Sequence, residues 1–496
     1  MRFCGRPVMS VIKAGLIGCP LGHSMSPYIH ERIMEASGIS GKYELYEITP
    51  EELPKYAPIL MRDLTGFNVT IPHKVSILPF LDDIAPMVKE YGAANTVCGR
   101  VGYNTDVDGF LSCNIPMKGK KVLLLGAGGV ARMMAIEALK AGADLSVWAR
   151  SEEKALALVN ECKEKGYEKV CVVTDADTGE TASGKATAGE LAGATEAASM
   201  TGGEDGSGTS TFDVVLNGTP CGMWPNVHDV APHLDLLSPG GTFFDTIYNP
   251  CPTKSCMQVR AGMTSGAGAQ GDETVKGGTA VSGLKMLLNQ AIAAEKIWAP
   301  DAHFDDERLA AILPDVRKKL WEKNPMKIVL TGFMGAGKTT IGRRIAEDMK
   351  IPFLDLDERI VQIAGCPITE IFKKDGEETF RRMEHDVLRA VLETPGSEVI
   401  SLGGGVLTQE KNRVLLSESK AVVIYLKVDA DTIWERVKDD TTRPLLQASD
   451  KETAYRNMCA RLESREASYV EGSDVILPAA EPVEVLFDRM KKLLLP

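Results

Sequence analysis

The stretch Gly332-Phe333-Met334-Gly335-Ala336-Gly337-Lys338-Thr339-Thr340 has the residue types and spacing of a loop that cradles phosphates. Glycines let consecutive backbone N–H groups turn inward on a polyphosphate, and the start of a helix adds a favourable dipole. Lys338 can reach the outer phosphates, and the Thr339 hydroxyl can hold Mg2+. A second group lies far upstream. Lys74 follows Gly66-Phe67-Asn68-Val69-Thr70-Ile71-Pro72-His73, and Asp106 closes Gly102-Tyr103-Asn104-Thr105. A lone lysine is usually a solvated charge. Only a partner would take it out of that reading, and Asp106 is the candidate.

The flanking elements fit these readings. Apolar Ile328-Val329-Leu330 precedes the phosphate loop and helical spacing follows it, so a domain begins near Met326. Residues 10–18 read as a strand ending in a turn that carries Ser24 and Ser26, either as helix caps or as ligand donors. The run Val122-Leu123-Leu124-Leu125 reads as a buried parallel strand. It feeds Gly126-Ala127-Gly128-Gly129-Val130-Ala131, a GxGxxA turn that opens a helix. The next strand ends in Arg150-Ser151 where an NAD site would place an acid; arginine with a hydroxyl suits the 2′-phosphate of NADP(H), the lesser reading of Arg150 being a surface charge.

The bulk numbers set bounds. With 496 residues, two or three domains are expected. A net charge of −12 and the lack of a basic block argue against nucleic-acid binding. Eleven cysteines without a CxxC pair read as reduced intracellular thiols, and Cys251 and Cys256 lack partners for zinc. No apolar run is long enough for a bilayer and the first residues do not read as a signal peptide, so a cytoplasmic location without membrane partners is expected.

Four motifs in order, GCPLGHSMSP, GFNVTIPHK, AANTV and GYNTDVDG, resemble the shikimate dehydrogenase family over about residues 10–300. The resemblance implies that Lys74 and Asp106 are the catalytic pair. It also implies that Ser24, Ser26, Thr70, Lys74, Asn95 and Asp106 bind a small polyhydroxylated ring acid, joined by Tyr248 and Gln290. Residues 126–131, Arg150, Ser151, Asn217 and Thr219 would serve NADP(H). The family pattern has an asparagine where this chain has Ala149.

Residues 326–496 resemble shikimate kinase through GxxGxGKT, the Asp355/Asp357 pair, FRR, Gly403-Gly404-Gly405, RPLL and RxxxY. That resemblance makes Asp357 the acceptor of the attacking hydroxyl's proton. Asp355 joins Thr339 near Mg2+, although it can also be a helix cap. Arg381 and Arg465 take the substrate carboxylate, for which guanidinium forks are suited. Gly403, Gly404 and Gly405 hold the ring. Gly335, Ala336, Gly337, Lys338, Thr339 and Thr340 hold ATP, with Arg443 on a lid.

The expected fold is α/β. A substrate domain (1–110 with 278–305) and a Rossmann-like NADP domain (111–277) precede a linker (306–325) and a P-loop kinase domain with a parallel sheet (326–496). The two halves are expected to be independent, and the small-residue stretches 174–211 and 264–279 to be loose insertions. The function implied is a bifunctional enzyme of aromatic biosynthesis. It would reduce 3-dehydroshikimate to shikimate with NADPH and phosphorylate shikimate with ATP and Mg2+. The alternative is a quinate/shikimate dehydrogenase that accepts NAD, fused to the same kinase. Oligomeric state stays open.

Overall fold

The computed structural model describes residues 11–22, 24–178, 211–263, 277–439 and 450–495. They build three sheets. The first contains β1 (Ile12–Gly18), β2 (Gly41–Glu47), β3 (Gly66–Val69), β4 (Asp83–Ile84), β5 (Thr96–Cys98) and β6 (Val101–Tyr103). Their order is β2-β1-β3-β5-β6-β4, with β5 antiparallel to β3 and β6. The second contains β7 (Lys121–Leu125), β8 (Asp144–Trp148), β9 (Val170–Val172), β10 (Phe212–Asn217), β11 (Leu237–Asp245) and β12 (Thr279–Ser282). It is parallel throughout, in the order β12-β11-β10-β7-β8-β9. Its order reverses between β7 and β10, the crevice where open α/β sheets take ligands.

The third sheet contains β13 (Lys327–Thr331), β14 (Phe353–Asp355), β15 (Glu398–Ser401), β16 (Ala421–Lys427) and β17 (Val475–Pro478). It is parallel, ordered β14-β15-β13-β16-β17, with the phosphate-loop strand in the middle. The apolar runs explain the central strands. Val122 to Leu125 are fully buried, as are Val329 and Leu330, because helices cover both faces of a parallel sheet.

After β12 the chain returns to the first sheet through the helix Gly283–Trp298. Its last residue donates an indole hydrogen bond to the Val97 carbonyl at 3.0 Å. This helix is tied to the helix Ser26–Ala36 by a fully buried His30–Glu295 pair at 2.7 Å.

The stretch expected as a linker is mostly helix. Asp306–Ala310 and Ile312–Lys323 are helical. Leu309, Ile312, Val316 and Leu320 are buried in one cluster with Met25, Ile29, Ile33, Leu284, Leu288 and Ile292. Leu309 and Ile312 thus belong to a core face, with Leu313 partly buried against it.

The halves are also less separate than a polar domain contact implies. The helix Lys254–Ala261 of the second sheet's layer lies against β17 and the C-terminal helix Val483–Leu494. Its Met257 is fully buried in the core of the third sheet. Around it, Asp474 accepts from Lys254 at 2.9 Å and faces His228 at 3.5 Å. Gln258 donates to the Asp474 carbonyl and Arg260 to the Leu493 carbonyl, both at 3.0 Å.

Residues 179–210 and 264–276, the bulk of the two expected insertions, lie outside the described residues. Their edges are not loose. Asp175 accepts from the Trp148 indole at 2.7 Å and lies 3.2 Å from His233, and Thr279 begins β12.

Candidate functional sites

Four short segments of the first sheet converge on one cavity of about 300 Å³. The turn after β1 brings Ser24 and Ser26, and the end of β3 brings Asn68 and Thr70. The one-turn helix His73–Ser76 brings Lys74, and the approach to β5 brings Asn95. Asp106 opens the helix Asp106–Leu111, while Tyr248 and Gln290 close the far wall. All eight residues expected at the substrate site line this cavity.

The Lys74 ammonium sits 2.6 Å from Asp106 Oδ2 and is partly exposed, so the pair is formed and reachable. Asn95 is fixed from both sides: its oxygen accepts from the Thr105 amide at 2.7 Å and its nitrogen donates to Thr105 Oγ1 at 3.1 Å. The Ser24 hydroxyl accepts from the Ser26 amide at 3.2 Å, so it shapes the turn and still faces the cavity. His73 is fully buried, with Nε2 at 2.6 Å from the Ile48 carbonyl.

Asn68 was missed as a cavity residue, although it lies on β3 only two residues before Thr70, an extended spacing that puts side chains on one side. Its oxygen accepts from the buried Tyr43 hydroxyl at 2.7 Å, and its amide donates to Thr96 Oγ1 at 2.9 Å.

At the switch point of the second sheet, Gly126 has φ +103°, and a Cβ there would press on the Gly218 carbonyl at 3.1 Å. The turn therefore needs glycine, and Gly128 caps the helix Gly129–Lys140 that carries Val130 and Ala131. Ala127 is partly buried beside it. Arg150 is exposed at the end of β8, and the Ser151 hydroxyl caps the helix Glu152–Glu164 by accepting from the Lys154 amide. Asn217 is fully buried: its amide donates to Asp245 at 3.0 Å and its oxygen accepts from Thr219 Oγ1 at 2.6 Å. Asn217 thus orients Thr219, which remains part-exposed. Burial pushes the Asp245 carboxyl up to about 6, against hydrogen bonds from Thr253, the Ile247 amide and Asn217.

The third sheet holds a cavity of about 700 Å³, lined by residues 334–341, Asp355, Asp357, Gly404 and Arg465. Gly335 and Gly337 take φ of +77° and +90°, and Lys338, which opens the helix Lys338–Met349, folds back to donate to the Gly332 and Phe333 carbonyls at 2.9 Å. Thr340 is exposed in the first turn of that helix. Thr339 Oγ1 donates to Asp355 Oδ2 at 2.8 Å. Asp355 Oδ1 meanwhile caps the helix Leu356–Ala364 by accepting from the Asp357 and Glu358 amides. Asp355 is therefore a helix cap through Oδ1, while Oδ2 faces the Thr339 hydroxyl.

The three glycines lie against side chains the sequence singled out. A Cβ on Gly403 would meet Asp357 and one on Gly405 would collide with Arg381, while the Gly404 carbonyl accepts from Arg465 at 2.9 Å and Tyr469 at 2.6 Å. Burial, with Asp355 nearby, holds the Asp357 carboxyl above the usual carboxylate range. Glu384 was also missed. It is 1% exposed and anchors Arg381 at 2.8 Å, while Gln409 donates to the same oxygen. Arg436 lines the cavity too, donating to the Gly335 carbonyl at 3.2 Å. Arg443 lies outside the described residues.

Residues 16–97 match the family model of the shikimate dehydrogenase substrate binding domain, and residues 334–494 match that of shikimate kinase. The shikimate dehydrogenase (NADP(+)) of Shouchella clausii is 32% identical over 295 residues, 57% of this chain and 91% of that protein. That of Moorella thermoacetica is 33% identical over 293 residues, 57% of this chain and 86% of that protein.

The chain belongs to the shikimate dehydrogenase family.

It carries a shikimate kinase domain behind the dehydrogenase, as the two sets of sequence motifs implied. Among solved structures, shikimate 5-dehydrogenase from Thermus thermophilus in complex with NADP(H) and shikimate is similar at 26% identity. The match covers 62% of this chain and all of that one, with a TM-score of 0.47. No helix among the described residues is long and apolar enough to cross a membrane.

Proposed function

We propose that the first cavity binds 3-dehydroshikimate and reduces it to shikimate, and that the second phosphorylates shikimate with ATP. The observation that carries the first half is the Lys74–Asp106 pair at 2.6 Å, at the edge of a cavity lined by seven further polar or aromatic side chains suited to a hydroxylated ring. The nicotinamide, when bound, supplies the hydride. Lys74 Nζ then donates its proton to the carbonyl oxygen, with Asp106 keeping the ammonium charged and aimed. Asn95, Gln290 and the two serines orient the ring, and Tyr248 closes the pocket over it.

NADP(H) is the cofactor this proposal assigns. The Gly126 turn leaves room for a pyrophosphate at a helix N-terminus, and Arg150 offers an exposed cation for a 2′-phosphate. The relatives' NADP(+) names agree with that choice over an NAD-using quinate enzyme.

Arg465 in the second cavity, with Arg381 beside it against Gly405, takes the ring carboxylate, and Asp357 accepts the proton of the attacking hydroxyl. The phosphate loop and Lys338 hold the polyphosphate. Thr339 and Asp355 offer one hydroxyl and one carboxylate oxygen side by side. Mg2+ asks for such a site, since it keeps its other positions for phosphate oxygens and water. Among the described residues no trio of His, Cys, Asp or Glu would form a dedicated metal cage.

The deciding experiment follows NADPH oxidation with 3-dehydroshikimate, then adds ATP and Mg2+ and identifies the products. Shikimate without ATP and shikimate 3-phosphate with it are expected. NADPH oxidation without shikimate formation would remove the first assignment, and shikimate left unphosphorylated would remove the second.

A further inference from the structure

The turn that carries Tyr248 into the dehydrogenase pocket is held from behind by groups that lead to the kinase. Trp321, at the end of the helix Ile312–Lys323, is 8% exposed and donates its indole N–H to the Cys251 carbonyl at 3.1 Å. Its own carbonyl accepts from Ser397 Oγ at 3.2 Å, and Ser397 lies one residue before β15 of the kinase sheet. The Trp321 ring is buried in the kinase core cluster. On the other side of the same turn, the Trp224 amide donates to the Asn249 carbonyl at 3.0 Å. The Trp224 ring is capped by the kinase residue Lys420, whose ammonium stands 3.9 Å from its centroid. Two carbonyls of the turn, at 249 and 251, are thus fixed by tryptophans that the kinase domain itself holds.

We propose that Trp321 and Trp224 are positioning residues for the dehydrogenase reaction, and that through them the kinase domain sets where Tyr248 stands in the ring-acid pocket. Neither tryptophan touches the substrate cavity. Their effect runs through a backbone turn only one to three residues from Tyr248, too short to absorb a shift without moving the tyrosine. The kinase is then part of the dehydrogenase's substrate affinity, in addition to being the next enzyme. This inference rests on the reading of the pocket given above.

The test uses the full-length chain. Trp321→Phe keeps the buried ring and removes the N–H donor. It is expected to raise the reductase KM for 3-dehydroshikimate ~3- to 10-fold, the scale of one lost hydrogen bond. Reductase kcat should stay within about twofold, and the kinase KM for shikimate should be unchanged. Lys420→Met should raise the same reductase KM ~2- to 5-fold, and Lys420→Arg, which keeps a cation over Trp224, should restore it. Because the action runs through Tyr248, Trp321→Phe placed on Tyr248→Phe should add little to the KM that Tyr248→Phe alone produces. Full additivity, or an unchanged KM in both Trp321→Phe and Lys420→Met, would overturn the inference. So would a parallel loss in kinase KM, which would reduce the contacts to general support of the fold. A Tyr248→Phe variant with wild-type KM would overturn the pocket reading beneath it.

Discussion

Lys74 is the residue on which the dehydrogenase assignment turns, and its environment says what its loss should do. It sits at the cavity edge beside Asp106, while at least six other polar or aromatic side chains line the cavity. Lys74→Ala should therefore cut reductase kcat by ~10^2- to 10^4-fold with KM little changed. A steady-state assay showing near-normal kcat would remove Lys74 from the mechanism. Asp357 makes a different prediction. As proton acceptor it must be ionised, and burial raises its pKa above the usual range. Kinase kcat/KM should fall as pH drops through that raised value, an acid limb above that of an ordinary carboxylate. Asp357→Asn should lower kcat ~10^2- to 10^4-fold, and its residual rate should lose that limb; a pH–rate profile identical in shape to wild type would reassign the limb. These two candidates stood out in the sequence because Lys74 closes an Asn-Val-Thr-Ile-Pro-His run and Asp357 forms an Asp-x-Asp pair at a strand end. Glu384 and Asn68 did not, since a buried partner of a binding residue looks in sequence like any polar residue of a helix or strand.

Glycine turns announce themselves at the scale of elements, and buried polar hubs do not. The Gly126 and Gly335–Gly337 turns follow buried strands and open helices, so type and place were readable together. The Asp245 hub was not, because its three donors come from 217, 247 and 253 on separate segments. Its carboxyl titrates near 6 in the fold against an ordinary 3.8. A raised acid favours the protonated native state, so its contribution is full below about pH 4 and is lost as pH rises through about 6. A gap of about two pH units corresponds to up to ~3 kcal/mol. Asp245→Asn should flatten this part of the stability loss, read as urea unfolding at pH 5 and pH 7.5; an unchanged pH slope would place that loss elsewhere. The strand-end Arg150 gives a cofactor test. Arg150→Asp should raise KM for NADPH at least ~10-fold and narrow its advantage over NADH, because a carboxylate would face the 2′-phosphate. Equal preference in variant and wild type would mean another cation holds that phosphate.

For the whole molecule, the place of a cut decides the outcome. Residues 306–325, read as a short helix and linker, are helices packed into a core, because the same apolar spacing serves a linker helix and a core helix and only packing tells them apart. A fragment ending at residue 300 lacks Leu309, Ile312, Val316 and Leu320 and leaves Ile29 and Leu288 exposed, so it should aggregate or unfold at least ~10 °C lower than one ending at 324. Light scattering and thermal unfolding of the two fragments decide this, and equal stability would return the segment to linker status. The docking of the helix Lys254–Ala261 against β17 has a consequence for synthesis. β17 is the edge of its sheet and spans Val475–Pro478, near the end of the chain. A bare edge strand is a template for pairing with other molecules. On the ribosome the helix that shields it emerges more than two hundred residues earlier, folded with its own domain. This edge strand therefore meets a shield made earlier in the chain, so the order of the two domains lets the edge be covered as soon as the kinase sheet closes.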